Sequence, residues 1–151
     1  MRKYRGRKLN YTIGENRWIY GFYGEGKDVN DGSIFSVIYV DKYNYFSCGS
    51  GMSESYCFVP TCERVEKQSV GQYSGVIDKN RVEMYEGDIV YGAAHWLERY
   101  KPAVVTFRNG SFGLLWHRGN VEEFNPFTSM CNVEYEVVGN IFDNPELMEG
   151  E

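Results

Sequence analysis

Proline is scarce in this chain, with four in 151 residues, and histidine occurs only twice. There are four cysteines, and no two of them form a C-x-x-C pair. No apolar run approaches the ~20 residues of a membrane-spanning helix. The longest apolar strand, Ile34–Val40, is interrupted by Ser36. Met1-Arg2-Lys3 is basic, but the apolar stretch of about 7–15 residues that a signal peptide needs does not follow it. Helical propensity is confined to Ala93–Tyr100, which Pro102 ends. These shortages exclude a coiled coil, a collagen-like chain and a low-complexity chain. They predict a soluble, cytoplasmic protein with no membrane association, in which Cys48, Cys57, Cys62 and Cys131 are free thiols.

Aromatic residues are abundant: Tyr 13, Phe 9 and Trp 3, together 17% of the chain, alongside 17 glycines. Rings and β-branched residues between glycine turns predict strands. The pattern predicts about nine, over 17–24, 33–40, 45–47, 56–59, 69–74, 88–91, 103–107, 111–116 and 134–141. Asp41–Asn44 reads as a hairpin turn, 48–55 as a loop, and Pro60 as the stop of a short strand. Asn109-Gly110 is the clearest hairpin tip, because both central residues of its turn want positive φ. Asn144-Pro145-Glu146 opens a short helical turn. The expected fold is all-β with little helix: an N-terminal antiparallel sheet, then a small barrel in the C-terminal half. Residues 48–68 form the one seam that the pattern offers inside a single domain, 1–151.

Sixteen basic against 21 acidic residues give a net charge of −5, which opposes a general nucleic-acid footprint. The distribution is uneven. Residues 1–27 carry seven cations and two carboxylates, whereas 102–151 carry two cations and eight carboxylates. Near the start, Tyr4, Arg5, Arg7, Tyr11, Trp18, Tyr20 and Tyr23 interleave rings and cations, a composition that can stack bases of single strands, although the two-residue period turns alternate rings inward and favours core plus ordinary surface. Arg5, Arg7, Trp18 and Tyr20 are the candidate ligand-binding residues. Any nucleic-acid binding belongs to this segment and is weak and salt-dependent.

Catalytic and metal chemistry find little support. Cys57-x4-Cys62 with Cys48, Cys131, His95 and His117 lacks the tight knuckle of a structural zinc site, so no metal or cofactor is expected. Two histidines and four cysteines form no local nucleophile–base signature. Gly24-Glu25-Gly26 and Gly49-Ser50-Gly51 lack the lysine and the strand–helix frame of a phosphate loop.

Val70–Val90 reads VGQYSGVIDKNRVEMYEGDIV. It strongly resembles the YopX family of phage and prophage proteins, in which a VGQYTG–KDKNG–IYEGDIV block recurs. Tyr4–Leu9 with Arg17–Gly21 is similar to the family's opening, FRGK and then W-x-YG. Tyr135–Leu147 (YEVVGNIFDNPEL) is similar to its ending, YEVIGNIYENPEL. Arg81 and Val82 stand where the family has Gly-Lys. In these blocks Gly71, Gly75, Gly87 and Gly139 read as turn or close-approach glycines. Tyr73, Tyr85, Ile89 and Val138 read as core. Gln72 and Asn140 are polar within apolar strands and are expected to bond backbone across a turn. Glu86-Gly87-Asp88-Ile89-Val90 resembles the opening of an SH3-like barrel.

The resemblance implies a phage- or prophage-encoded β protein and supplies no catalytic residues. The expected role is a non-enzymatic binding protein in the bacterial host, acting on a host or phage macromolecule. The alternative is a small enzyme acting on nucleotides or nucleic acid. Many strand edges and 25 rings also predict a homo-oligomer.

Overall fold

The computed structural model describes residues 3–48, 55–93, 102–118, 121–127 and 134–148, with the backbone path alone at 41–60, 93, 118 and 134. The chain is mainly β, in antiparallel sheets, and forms two compact units, Met1–Val70 and Gly71–Glu151. The expected helix at 93–100 lies, beyond residue 93, outside the described residues, as do residues 49–54 of the expected loop.

The N-terminal unit contains β1 (Tyr4–Arg7), β2 (Trp18–Lys27), β3 (Ile34–Cys48), β4 (Ser55–Val65) and a 3-10 turn at Lys67–Ser69. Its strands are ordered β4-β3-β2-β1. Within this unit, the end of β1 meets the end of β4. Lys8 bridges Val65, the Leu9 N–H donates to the Arg64 carbonyl at 3.1 Å, and the Glu66 N–H donates to the Arg7 carbonyl at 2.9 Å. Gly6 permits that approach, because a Cβ there would lie 2.9 Å from the Val65 Cβ. Ile19, Ile38 and Val65 form the core, with Tyr4, Tyr23, Val40 and Val70 packed against it.

Two expectations are corrected here. Asp41–Asn44 is not a hairpin turn; it lies within the continuous strand β3. Pro60 does not end its strand, and β4 runs through it. Both corrections have one cause. The β3–β4 register passes from Tyr39↔Cys62 to Tyr43↔Pro60, so β3 carries extra residues in a bulge beside the proline. A bulge is where a residue without an N–H is tolerated in a ladder. Strand β1, only four residues long, is an element that the sequence pattern does not reveal.

The C-terminal unit pairs β5 (Gly71–Ile77) with β6 (Glu83–Tyr85). It then builds a five-stranded sheet in the order β10-β9-β8-β7-β11, from β7 (Asp88–Ala93), β8 (Pro102–Arg108), β9 (Ser111–Arg118), β10 (Val121–Pro126) and β11 (Glu134–Asn140). Asn109 and Gly110 join β8 to β9 with φ of 53° and 83°, the paired positive values that their chemistry predicts. Met84, Val90, Ala103, Val105, Leu114, Trp116 and Tyr135 make the core. A 3-10 turn at Pro145–Met148 follows Asn144. Among the described residues, no helix is long and apolar enough to cross a membrane.

Candidate functional site

Antiparallel register assigns side chains to faces, because directly opposed residues share a side. In the N-terminal sheet Arg5 opposes Tyr20 and Arg7 opposes Trp18. All four candidate residues therefore project from one face. The pairs Phe22↔Tyr39, Gly24↔Val37 and Gly26↔Phe35, then Val37↔Arg64, extend that face across β2, β3 and β4. The core residues Ile19, Ile38 and Val65 occupy the opposite side; on the ring-and-arginine face Val37 and Arg5 are buried, while Tyr20 and Arg64 are exposed.

The face is laid flat by small residues beneath it. A Cβ at Gly24 would meet the Tyr39 ring at 2.7 Å, and one at Gly26 would meet the Phe35 ring at 2.3 Å, so both rings rest on bare backbone. Cations cover part of the pavement. The Arg5 Cζ sits 4.7 Å from the Trp18 ring centroid and that of Arg64 3.8 Å from Phe35, within cation–π range.

The four candidates differ in what they offer. Arg5 is 6% exposed, and its stem is buried beside Trp18, which is half-buried. Arg7 forms an ion pair with Glu66, and its backbone N–H donates to the Ser69 Oγ at 2.8 Å, so it fastens the end of β1 to the segment that follows β4. Tyr20 is 41% exposed and is the candidate that presents most surface. Phe22, Phe35, Tyr39 and Arg64 complete the face and were missed in the sequence. Alternation from Trp18 and Tyr20 points to Phe22, whereas Arg64 is placed only by the β3–β4 register. Beside Phe35 lies a cavity of about 280 Å³ with Leu9, Ile34 and Val65 as its apolar lining and Glu66 and Lys67 among its polar residues.

Carboxylates stand close to several of these cations. Arg64 Nη2 lies 3.3 Å from Asp28 Oδ2, and Lys67 Nζ lies 3.6 Å from Glu25 Oε1. The Asn30 backbone N–H, and then the Arg64 guanidinium, hold the Asp28 carboxyl below the usual carboxylate range. The Ser33 backbone N–H does the same for Asp31.

The family-block residues lie in the C-terminal unit and are occupied with the fold. Asp88 is buried, and its Oδ2 accepts the Tyr85 N–H at 2.7 Å. The Gly87 N–H donates to the Val105 carbonyl at 2.8 Å, and its own carbonyl accepts the Ile141 N–H at 3.0 Å, at a φ of +84°. Tyr73 and Tyr85 pack with ring centroids 5.5 Å apart. Asn140 Oδ1 accepts the N–H groups of Phe142 and Asp143, each at 3.0 Å, the turn-spanning role expected of it. The Gln72 carbonyl accepts the Glu86 N–H at 3.0 Å. Gly71 and Gly139 are close-approach positions: a Cβ would lie 2.4 Å from the Glu86 carbonyl oxygen and 2.5 Å from Asn144 Oδ1, respectively. Arg81, where the family has glycine, takes the left-handed conformation with φ of 65°.

Among the described residues, no group of three or more His, Cys, Asp and Glu gathers as a metal site. Cys62 is an exposed free thiol. Cys48 and Cys57 lie on β3 and β4, and Cys131 and His95 fall outside the described residues. His117 is exposed on β9 and opposes Glu122 on β10, whose carboxylate accepts from Arg108 at 3.0 Å.

A family model described as YopX protein matches residues 27–149. Among solved structures, the chain is similar to protein EF1440 from Enterococcus faecalis, at 20% identity over 98% of each chain, with a TM-score of 0.49. No curated protein matches the chain.

Proposed function

We propose that this chain, a member of the YopX family, is a non-enzymatic binding protein that offers the ring-and-arginine face of its N-terminal sheet to a macromolecule in the cytoplasm of a bacterium hosting a phage or prophage. One observation carries this reading: the β1–β2 register gathers Arg5, Arg7, Trp18 and Tyr20 on a single face that continues through Phe22, Phe35, Tyr39 and Arg64. Trp, Tyr and Arg are the residue types that dominate binding energy at protein interfaces. Rings lying flat on a sheet lose little side-chain entropy when covered.

The charges favour a protein partner over nucleic acid. Arg7 already meets Glu66 and Arg64 already meets Asp28, so a phosphate would have to compete with fixed carboxylates. The chain as a whole carries −5. Single-stranded nucleic acid is the weaker ligand, and its binding would fade steeply with salt.

The test is affinity capture from host-cell lysate with the full chain and its Tyr20→Ala variant, followed by mass spectrometry and sequencing of captured nucleic acid. A polarisation assay with single-stranded DNA and RNA at low and moderate salt runs beside it. Tyr20 is exposed, so the truncation costs about 0.5 kcal/mol of stability or less. The expected result is a protein bound by the wild type and lost from the variant at unchanged melting temperature. Capture of the same species in equal amounts by both chains removes the proposal.

A further inference from the structure

We propose that the turn beginning at Asp78 is an edge clasp: it occupies, within the same chain, two outward strand-pairing groups of β11, and so keeps the C-terminal unit from adding a strand of a second molecule. Strand β11 is last in the order β10-β9-β8-β7-β11 and pairs on one side with β7. A terminal strand presents unpaired N–H and C=O groups that template another chain. Here the Tyr135 carbonyl accepts the Lys79 N–H at 2.9 Å, and the Val137 N–H donates to Asp78 Oδ2 at 3.1 Å. These two groups come from residues two apart, the spacing at which a strand exposes groups along one edge. Beyond Val137 the register shifts before Gly139, so the regular pairing stretch of β11 is Glu134–Val137. The clasp takes up two outward groups within that stretch, the Tyr135 carbonyl and the Val137 N–H.

The same carboxylate shapes the clasp. Asp78 Oδ1 accepts the N–H groups of Asn80 at 2.7 Å and Val82 at 2.8 Å. The Asp78 N–H donates to the Val82 carbonyl at 2.8 Å, and its carbonyl accepts the Arg81 N–H at 3.0 Å. With three backbone N–H groups on one buried side chain, the turn stays closed although Arg81 adopts a left-handed conformation costly to a residue with a Cβ. The Lys79 ammonium lies 2.6 Å from the Glu136 carboxylate on the exposed side, a contact that the mechanism does not require. Strand edges are the feature from which the sequence predicts a homo-oligomer, and the clasp removes these two groups of β11 from that account.

The experiment uses the full chain. In the wild type, amide hydrogen exchange must show Val137 protected; a Val137 amide exchanging at the rate of an open strand edge overturns the proposal without any variant. In Asp78→Ala, Val137 exchange is expected to accelerate at least about tenfold, and the mass by light scattering to rise with concentration above that of the wild type. Lys79→Ala keeps the backbone N–H and is expected to match the wild type in both readouts. Should Asp78→Ala lose its near-UV circular dichroism, Asp78→Asn, which keeps one acceptor oxygen, carries the same two measurements. Faster exchange at Val137 with an unchanged mass at every concentration would show an edge that needs no guard, and would also overturn the proposal.

Discussion

The two units use their polar residues in opposite ways. The N-terminal unit, with ten basic and eight acidic residues, sets Tyr20 and Arg64 on the outside of its sheet, beside a buried Arg5 and half-buried rings. The C-terminal unit, with six basic and thirteen acidic, turns Asp78, Asp88 and Asn140 inward to hold its own backbone. The blocks by which the sequence resembles its family are densest in the second unit, and there they specify turns. The surface suited to recognition is in the first, where alternation along strands supplies the pattern and no compact motif marks it. A recognisable motif is therefore a poor guide to the surface proposed for binding in this chain.

Gly71 is a position of the C-terminal unit where neighbouring backbone excludes a side chain. A Cβ there would stand 2.4 Å from the Glu86 backbone oxygen, which cannot swing aside as a side chain would. Gly71→Ala is expected to cost about 3 kcal/mol, at the upper end of overpacking penalties, read as a lowered denaturation midpoint. A loss under about 0.5 kcal/mol, the range of neutral surface changes, would mean that the close approach at Gly71 does not constrain the fold.

A smaller effect of opposite sign is expected at Arg81. Glycine would relieve the cost of a left-handed arginine, roughly 1–2 kcal/mol, but would also widen the unfolded ensemble by roughly 0.5–1 kcal/mol. Arg81→Gly should stabilise the chain by about 0.5 kcal/mol. Urea denaturation with an unchanged slope checks it, and a destabilised variant would show that the arginine side chain contributes more to the turn than its backbone costs.

The mildest expectation concerns the exposed loop of the N-terminal unit. Asp28 and Asp31 both titrate below the ordinary carboxylate range, so the loop order they support is present at neutral pH. That order is lost as pH falls through their lowered values. An NMR titration should place both carboxyls below a model peptide's. High salt should raise Asp28 more than Asp31, because the guanidinium at Asp28 is screened while backbone hydrogen bonds are not. Equal salt responses would show that Arg64 is not a direct partner.

What was legible in the sequence was local. Asn109-Gly110 announced its hairpin because the turn's dihedral demands are met by those two residues alone, and Asn140 announced its backbone bonds for the same reason. Trp18 and Tyr20 were readable as one face from their spacing. What failed was nonlocal. Asp41–Asn44 has turn composition, yet it continues as strand because β4 supplies a partner across the bulge at Pro60. The positions of Arg64 and Glu66 beside residues near the chain's start depend on sheet closure, which no window of sequence contains.

That closure also orders events in time. The Lys8–Val65 bridge cannot form until β4 has left the ribosome, whereas β1 can pair with β2 as soon as Trp18–Gly21 have emerged. The β2–β3 hairpin, whose ends are near in sequence, can form while the rest is still being translated. Until then the rings of the nascent sheet are exposed beside an unfinished core, and the waiting time is set by the speed of translation.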